Sequence, residues 1–292
     1  MLKQLVLVTL AALNLAAVTG CSKVPGMAGA LAAPKAAHTA TIQAAGKTRK
    51  LGFDLDRAKQ QAPAARLQKL PPTQGLVPTR MDLRDIASAV SDQQDLGSCT
   101  AFAVGKGVRE LLQKTRGEQA TPLSALFLYY ETRKLRNAVD LDSGATITDA
   151  MKAIAGAGVA PEAAWPYDIG VFAQKPPQAA YKAATPWKLT TGVQIGGLDE
   201  IKKALVRKQP VVAGMRLYNT FRDVGADGKL QMPQNGDIMV GGHAITIVGY
   251  DNQKRHLIVK NSFGTAWGDK GYFYMPYAYV TPELVMDIWT AS

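Results

Sequence analysis

The sequence predicts an α+β fold of two lobes with a cleft between them. Two observations support this class: apolar residues recur at helical spacing in the first half of the folded body, and short β-type runs follow in the second half. Elements of one kind are thus grouped rather than alternating, which is typical of helices lying beside an antiparallel sheet. The chain has 292 residues and an ordinary globular composition, so a sizeable core is expected.

Helical spacing is clearest directly after Ser98. There the run "CTAFAVGKGVRELLQKTRG" predicts a helix that ends at Gly117, a residue type suited to a helix C-terminus. Its apolar positions at helical spacing are Phe102, Val108, Leu111 and Leu112. Further helices are predicted at "SALFLYYETRKLR" and "ITDAMKAIAGAG", and one more at "LDEIKKALVRK" leads into the first strand.

From about Trp187 the sequence changes to short β-type runs. Four strands are predicted, at "PVVAGMRL", "HAITIVGYD", "HLIVKNS" and "GYFYMPY". Because a helix precedes only the first of them, the runs predict a mainly antiparallel, barrel-like sheet.

The first 20 residues predict a signal peptide. A short basic start precedes an apolar run at residues 5–18, whose 14 residues are fewer than the ~20 that span a bilayer. Cys21 follows "VTG", which resembles the lipobox of bacterial lipoproteins, so lipidation of Cys21 is predicted. The protein is then exported to the bacterial cell envelope and anchored by acyl chains, on the periplasmic or surface side of the outer membrane. The alternative is an ordinary signal peptide cleaved near Gly20, which leaves Cys21 as a free thiol.

Residues 21–78 are predicted to form a lipid-attached tether and prosegment, and residues 79–292 the folded body. The body divides where the sequence pattern changes from helical spacing to short β-type runs. This gives a helical lobe at 79–186 and a β lobe at 187–292. The prosegment is rich in Ala, Lys, Arg, Gln and Pro. It contains one apolar cluster that alternates as in a strand, formed by Leu51, Phe53 and Leu55.

The positive charge of the chain lies in its N-terminal segment. The net charge is +11, and residues 1–80 carry 11 Lys and Arg against Asp54 and Asp56, whereas residues 81–292 carry 23 against 21 acidic residues. The body is therefore nearly neutral, which argues against nucleic-acid binding, since phosphate recognition needs a clustered basic surface. The basic prosegment is expected to dock on acidic rims of the cleft or to adhere to an anionic envelope surface.

Cys99 is the candidate nucleophile. With Cys21 lipidated, Cys99 has no disulfide partner, although the predicted compartment favours disulfides. A cysteine considered alone is more often a small buried apolar residue. However, Cys99 opens a predicted helix after Gly97 and Ser98, and the free N–H groups at a helix start stabilise a thiolate.

His243 is the candidate base among three histidines. His38 lies in the Ala-rich tether, and His256 is on the opposite strand face from Asn261. An imidazole beside Cys99 would take the thiol proton and later protonate the leaving amine. The tetrahedral oxyanion would need two donors, namely the backbone N–H of Cys99 and a side-chain amide such as that of Gln93.

Three blocks, "QQDLGSCTAFA", "GGHAITIVGYD" and "VKNSFGTAWGDKGY", resemble the signatures of papain-like cysteine peptidases in their order. His243 follows Cys99 by 144 positions, within the ~130–150 typical of the family, and Asn261 follows by 162. The resemblance implies that Cys99 is the nucleophile and His243 the general base and acid. It also implies that Asn261 orients the imidazole and that Gln93 is the oxyanion donor.

The same resemblance assigns a substrate-binding role to four further residues, Ser143, Gly144, Gly242 and Trp267. It also exposes departures from the family pattern. Leu96 stands where the family has a half-cystine, Thr100 replaces an aromatic residue, and Phe263 replaces the tryptophan that shields the Asn–His hydrogen bond. Ser143 replaces the first glycine of a Gly-Gly pair that binds substrate backbone. Ala244 and nearby apolar residues suggest a hydrophobic subsite.

The resulting hypothesis is a cysteine-type peptidase, expected to be a monomeric endopeptidase that acts on peptides or proteins through a thioester. Residues 22–78 would occupy the cleft until removed. An alternative is a papain-like surface protein that binds peptides or a protein partner without turnover, and another is acyl transfer or deamidation through the same thioester. Neither metal nor cofactor is expected, because three scattered histidines and one free cysteine make no zinc site and no phosphate loop is visible.

Overall fold

The structure, a computed structural model, describes residues 40–62 and 66–292. It confirms the α+β class: helices lie beside an antiparallel sheet of seven strands. The strands are β1 Thr41–Ala44, β2 Lys47–Lys50, β3 Arg80–Asp82, β4 Val193–Gln194, β5 Val211–Tyr218, β6 Met239–Asp251, β7 His256–Lys260, β8 Tyr272–Pro276 and β9 Val285–Thr290. The α-helices are α1 Leu55–Gln61, α2 Cys99–Ala101, α3 Glu110–Thr115, α4 Ala125–Lys134, α5 Ile147–Ala157, α6 Gln178–Ala184 and α7 Gly197–Val206.

Strand β6 organises the sheet. The strand order is β4-β9-β5-β6-β7-β8, and β3 pairs with β6 in addition. Residues 242–251 of β6 are all buried, because one face of the strand packs on the helices and the other on the core of the sheet. Near-continuous apolar character is expected of a strand that is covered on both faces.

One continuous helix, here called the central helix, packs across β6. It begins as α2 at Cys99, continues as a π-helix at Phe102–Arg109 and ends as α3. Within the π-helical stretch, the carbonyl of Lys106 accepts hydrogen bonds from Ser88 Oγ at 2.9 Å and from Lys260 Nζ at 3.3 Å. The four residues that the sequence placed at helical spacing are all buried: Phe102, Val108, Leu111 and Leu112.

The predicted helices α4, α5 and α7 and the four predicted strands are present. Ser124 caps α4 by accepting from Phe127 N, and Thr146 caps α5 by accepting from Asp149 N. The sequence did not indicate the short strands β3, β4 and β9. Strand β3 and Leu83 join the sheet and its core, so the start of the predicted helical lobe lies with the β lobe.

The N-terminal segment is folded where the structure describes it. Strands β1 and β2 form a hairpin whose turn residues, Ala45 and Gly46, both have positive φ, as a two-residue hairpin turn requires. The alternating apolar cluster is not one strand: Leu51 and Phe53 are buried in an extended stretch, and α1 begins at Leu55. Asp54 ends this stretch and caps α1 by accepting from Arg57 N.

The predicted signal peptide at 1–20, the predicted lipidation site Cys21 and His38 lie outside the described residues. Of the helices in 40–62 and 66–292, none combines the length and the apolar character that a bilayer span requires. Over the same two ranges, no group of three His, Cys, Asp or Glu side chains is placed to hold a metal ion.

The contact between the central helix and β6 gives a stability prediction. A Cβ on Gly107 would lie 1.9 Å from Thr246 Oγ1, so Gly107→Ala forces the helix off the strand. Overpacking of this kind costs about 1–3 kcal/mol, and we expect the free energy of unfolding in urea to fall by that amount. Gly156→Ala on α5 is the matched control, because a Cβ there meets no atom within 4 Å and alanine is the better helix former. Equal losses in the two variants would contradict the prediction.

Candidate active site

Cys99 lies where the start of the central helix meets strand β6. It is the first residue of α2, its exposed fraction is 0%, and it is unpaired. Its Sγ accepts a hydrogen bond from the backbone N–H of Ala244 on β6, at 3.4 Å. The preceding Ser98 is held by a 2.7 Å hydrogen bond between its Oγ and Tyr167 Oη, which fixes the turn into the helix.

His243 and Asn261 come together as the resemblance implies. His243 Nε2 lies 2.7 Å from Asn261 Oδ1, and the same oxygen accepts from Ser262 N at 2.8 Å. An oxygen that accepts from a backbone N–H leaves the imidazole Nε2 as the donor in the first bond. His243 Nδ1 is buried and has no hydrogen-bond partner within the described part of the chain, so it is the nitrogen available for proton exchange.

Aromatic rings enclose this pair of side chains. The Phe263 ring lies 4.9 Å from the imidazole, between centroids, and Trp267 lies 5.6 Å from Phe263. Phe221 covers the far side at 5.1 Å from Trp267. Phe263 therefore keeps water from the His243–Asn261 hydrogen bond in the position where the family has tryptophan. Trp267 Nε1 is buried, and no described residue accepts its hydrogen.

Gln93 is fully buried and rigidly oriented. Its Oε1 accepts from Ser262 Oγ at 2.6 Å, which directs Nε2 towards the cleft. Nε2 donates to Leu96 O and to Lys50 O, each at 2.9 Å. The group predicted to stabilise an oxyanion is thus occupied by a carbonyl oxygen of the N-terminal segment.

The N-terminal segment crosses the cleft as an extended strand. Ala145 N donates to Gly52 O at 2.8 Å, and Asp54 N donates to Ala145 O at 3.0 Å. From the opposite wall, Gly242 O accepts from Phe53 N at 3.1 Å. The structure therefore brings Gly242 to the cleft as predicted, whereas Ala145, which the sequence analysis missed, forms the paired edge.

The two other residues predicted at this edge, Ser143 and Gly144, lie beside the segment. A Cβ on Gly144 would lie 2.2 Å from Gly52 O, so this position must lack a side chain for the segment to pass. Ser143 is buried, and its Oγ donates to Gly144 O at 3.3 Å. Gly52 itself has no room for a side chain, since its Cβ would lie 1.9 Å from Gly97 O.

Phe53 fills an apolar pocket beside Cys99. Its ring contacts Gly214, where an added Cβ would lie 2.0 Å from the ring, and it packs in the same buried cluster as Val212 and Ala244. An apolar pocket therefore lies where Ala244 suggested a hydrophobic subsite, and its use by a substrate side chain stays a prediction.

Five ion pairs tie the described part of the N-terminal segment to the body. The four shorter ones join Arg49 to Asp92 at 2.8 Å, Lys50 to Asp142 at 2.8 Å, Asp54 to Arg136 at 3.0 Å and Arg57 to Asp149 at 2.6 Å. The fifth joins Lys47 to Asp92 at 3.9 Å. Burial alone raises the pKa of Asp149, but the hydrogen bonds and charge of Arg57 outweigh it and leave the pKa lowered. Basic side chains of the segment thus meet acidic side chains on the cleft rim.

Asp142 joins two parts of the site, and the sequence analysis missed it. Its Oδ1 accepts from Tyr129 Oη and from Gly97 N, the latter at 3.1 Å. The same tyrosine oxygen accepts from Gly144 N at 3.1 Å. The Asp142 carboxylate therefore links the turn before Cys99 to the Gly144 edge. That turn is the one in which Leu96 replaces the half-cystine of the family.

Burial sets the protonation of the closed site. It raises the pKa of the Cys99 thiol to about 11, although backbone N–H groups of Ala244, Gly52 and Thr100 partly oppose it. Burial also lowers the pKa of His243 to about 4, with the Asn261 hydrogen bond acting in the opposite direction. With the segment in the cleft, thiol and imidazole are therefore both neutral at pH 7.

Residues 77–282 match the family described as papain family cysteine protease. An uncharacterized peptidase C1-like protein of Acanthamoeba polyphaga mimivirus is 38% identical over 225 residues, which are 71% of this chain and 72% of that protein.

Among solved structures, xylellain, a cysteine protease from Xylella fastidiosa, superposes with a TM-score of 0.72 at 29% identity, covering 86% of this chain and 97% of that one. The ragweed pollen cysteine protease Amb a 11 in its proform gives a TM-score of 0.65 at 22% identity, over 82% and 75% of the two chains, and shows the fold. The chain therefore belongs to the papain family of cysteine proteases and is a cysteine peptidase.

Proposed function

We propose that the chain hydrolyses peptide bonds with Cys99 as nucleophile, His243 as general base and acid, Asn261 as the residue that orients the imidazole, and Gln93 as an oxyanion donor. The observation that carries the proposal is the 2.7 Å bond from His243 Nε2 to Asn261 Oδ1. Because Nε2 is engaged in this bond, Nδ1 is the proton acceptor. The backbone of His243 lies close to the thiol, since the next residue, Ala244, donates its backbone N–H to Cys99 Sγ.

The chemistry follows from these positions. His243 Nδ1 takes the proton of Cys99, and the thiolate attacks the substrate carbonyl carbon at the start of the central helix. The oxyanion accepts hydrogen bonds from Cys99 N and Gln93 Nε2. The imidazolium protonates the leaving amine, and a thioester remains. Water, deprotonated by His243, attacks the thioester and releases the acid and the free thiol.

Substrate binding is proposed along the two walls of the cleft. The backbone groups that now pair with residues 52–54 would pair with an extended substrate, along Ser143–Ala145 on one side and at Gly242 on the other. Trp267 would contact the leaving-group side. A peptide-binding protein without turnover is not favoured, because the chain matches a family of cysteine proteases and the His243–Asn261 hydrogen bond that the proposed reaction needs is formed.

We infer further that residues 21–78 are an inhibitory prosegment and that the enzyme is made as a zymogen. Lys50 O accepts a hydrogen bond from Gln93 Nε2, Gly52 lies against Gly97, and the Phe53 ring fills the apolar pocket. A substrate carbonyl cannot enter while these atoms are in place. The proform of the ragweed protease shares this fold.

Export and anchoring complete the proposal. A signal peptide at 1–20 and lipidation at Cys21 would hold the enzyme, as a monomer, on the bacterial envelope, and the basic tether leads to the body beginning at residue 79. The support is the leader sequence and its small residues before Cys21. Mass spectrometry of the mature N-terminus would detect the acyl chains or their absence.

The first prediction concerns inhibition by the segment. Replacing Gly52→Ala and Phe53→Ala together creates a clash with Gly97 O and empties the apolar pocket; this double variant is called the opened variant. We expect its rate of hydrolysis of a fluorogenic peptide to exceed that of the wild type at least about tenfold. A loss of ~1.4 kcal/mol in the free energy with which the segment binds the cleft is enough for this increase. Gln60→Ala, at an exposed position of α1, should leave the activity unchanged. Equal rates for wild type and opened variant would rule out inhibition.

The second prediction concerns the reacting groups. In the opened variant, adding Cys99→Ala or His243→Gln should lower kcat/KM by at least about 1,000-fold, because each removes a group that acts in covalent catalysis. The control is His256→Gln, since His256 stacks on Tyr274 away from the cleft and should tolerate the change. Retention of wild-type turnover without Cys99 would end the proposal.

The third prediction is a pH profile of alkylation. A chain that begins at Ser22 has Cys99 as its single thiol. Because burial raises the pKa of that thiol to about 11, the thiolate fraction of the closed chain is small at pH 7, and alkylation by iodoacetamide should rise only towards pH 11. In the opened variant reactivity should persist below pH 8 and disappear with His243→Ala. Identical profiles for the closed and opened chains would refute the effect of burial.

A further inference from the structure

We propose that Asp142 selects peptides that carry arginine or lysine at the residue whose carbonyl Cys99 attacks. The inference rests on the proposed function and names the substrate class of that site. It is carried by Lys50, which touches both the proposed oxyanion donor and the Asp142 carboxylate.

Lys50 spans the distance between Gln93 Nε2 and the Asp142 carboxylate. Its backbone oxygen lies 2.9 Å from Gln93 Nε2, and its Nζ lies 2.8 Å from Asp142 Oδ2. A lysine whose carbonyl oxygen is bound at Gln93 can therefore bring its ammonium group to Asp142. In the proposed reaction the attacked carbonyl takes this place, so the side chain of the same substrate residue has the reach that Lys50 demonstrates.

The carboxylate is positioned independently of Lys50. Gly97 N donates to both of its oxygens, at 3.1 Å to Oδ1 and 3.2 Å to Oδ2, and Oδ1 also accepts from Tyr129 Oη; both donors belong to the body. Tyr129 is fully buried, and its Oη is also held by Gly144 N. Departure of the prosegment thus removes the cation and leaves a carboxylate in a fixed orientation, with Oδ2 facing the cleft.

The charge of Asp142 has one direct cationic partner among residues 40–62 and 66–292, which is Lys50. The nearby Arg133 directs its hydrogen bonds to the carbonyl oxygens of Tyr129, Val139, Leu141 and Phe172. The Asp142 side chain is only 12% exposed even beside Lys50, so solvent screens it weakly. A partly buried carboxylate that loses its cation favours a ligand that supplies another.

Arginine fits this position as well as lysine. Its guanidinium is always charged and can donate two parallel hydrogen bonds to a carboxylate. Glutamine has a similar shape without the charge and serves as the neutral reference. We expect the preference for arginine over glutamine to be about 10- to 100-fold, the range of one well-placed charged hydrogen bond.

The experiment uses the opened variant, as the whole chain from Ser22, and fluorogenic peptides that differ only at the attacked residue, which is arginine, lysine or glutamine. The expected ratio of kcat/KM for arginine over glutamine is at least about 10. Asp142→Asn should bring the ratio close to 1; because the two peptides are compared within one variant, a general loss of kcat/KM does not affect this ratio. Asp140→Asn, which removes an acidic side chain from the same loop, is the matched control and should keep the full ratio.

Each outcome decides a different question. A ratio near 1 in the opened variant, or a ratio that Asp142→Asn leaves unchanged, overturns the selectivity while turnover upholds the peptidase. Failure to cleave any of the three peptides overturns the proposed function, and the inference with it. If Asp142→Asn abolishes cleavage of all peptides, a citrulline peptide decides in the opened variant, because citrulline keeps the shape of arginine without its charge. It should be cleaved about as slowly as the glutamine peptide, and cleavage as fast as that of the arginine peptide rejects the role of charge.

Discussion

The close contact of the central helix with strand β6 is the constraint on which the candidate active site depends. Gly107 lets the helix approach Thr246, and Thr246 Oγ1 donates to Ala103 O at 3.0 Å. At the end of this contact, Ala244 N reaches Cys99 Sγ. Since Cys99 begins the helix and His243 lies on the strand, their relative position is set by packing between two rigid elements. Neither residue needs a flexible loop to bring it to the other.

A polar link takes over the remaining alignment. The Asp142 carboxylate and Tyr129 Oη join the Gly97 turn to the Gly144 edge through hydrogen bonds. The turn before Cys99 and the Gly144 edge are thereby held together without a covalent bridge, although Leu96 removes the usual half-cystine from that turn. The link works because Tyr129 is buried, which strengthens its hydrogen bonds and excludes competing water. The same carboxylate remains available to a cation through Oδ2, so alignment and charge recognition meet in one side chain.

The N-terminal segment uses the groups that the proposed reaction needs. Gln93 Nε2, Ala145 and Gly242 O all bond to its backbone, and burial under it favours the neutral thiol and the neutral imidazole. Occupation of the cleft therefore also disfavours the thiolate and imidazolium that the proposed reaction needs, because the atoms that block the cleft also displace the water that would solvate these charges. Three basic residues of the segment, Arg49, Lys50 and Arg57, meet acidic partners on the rim, at Asp92, Asp142 and Asp149.

The sequence by itself determined the fold class, the main helices and strands, and the candidate residues Cys99, His243, Asn261 and Gln93. These follow from local periodicity, from the few histidines and cysteines, and from motifs whose residues are near each other along the chain. Tertiary structure decided which edge is paired, at Ala145, and it decided the roles of Asp142 and of residues 50–54 in the cleft. Such contacts join residues far apart along the chain, 43 positions for Lys50 with Gln93 and 45 for Gly97 with Asp142, through backbone atoms and single carboxylates. Sequence periodicity carries no information about these contacts. Every residue has a backbone carbonyl and aspartates are common, so only the folded chain decides which of them meet.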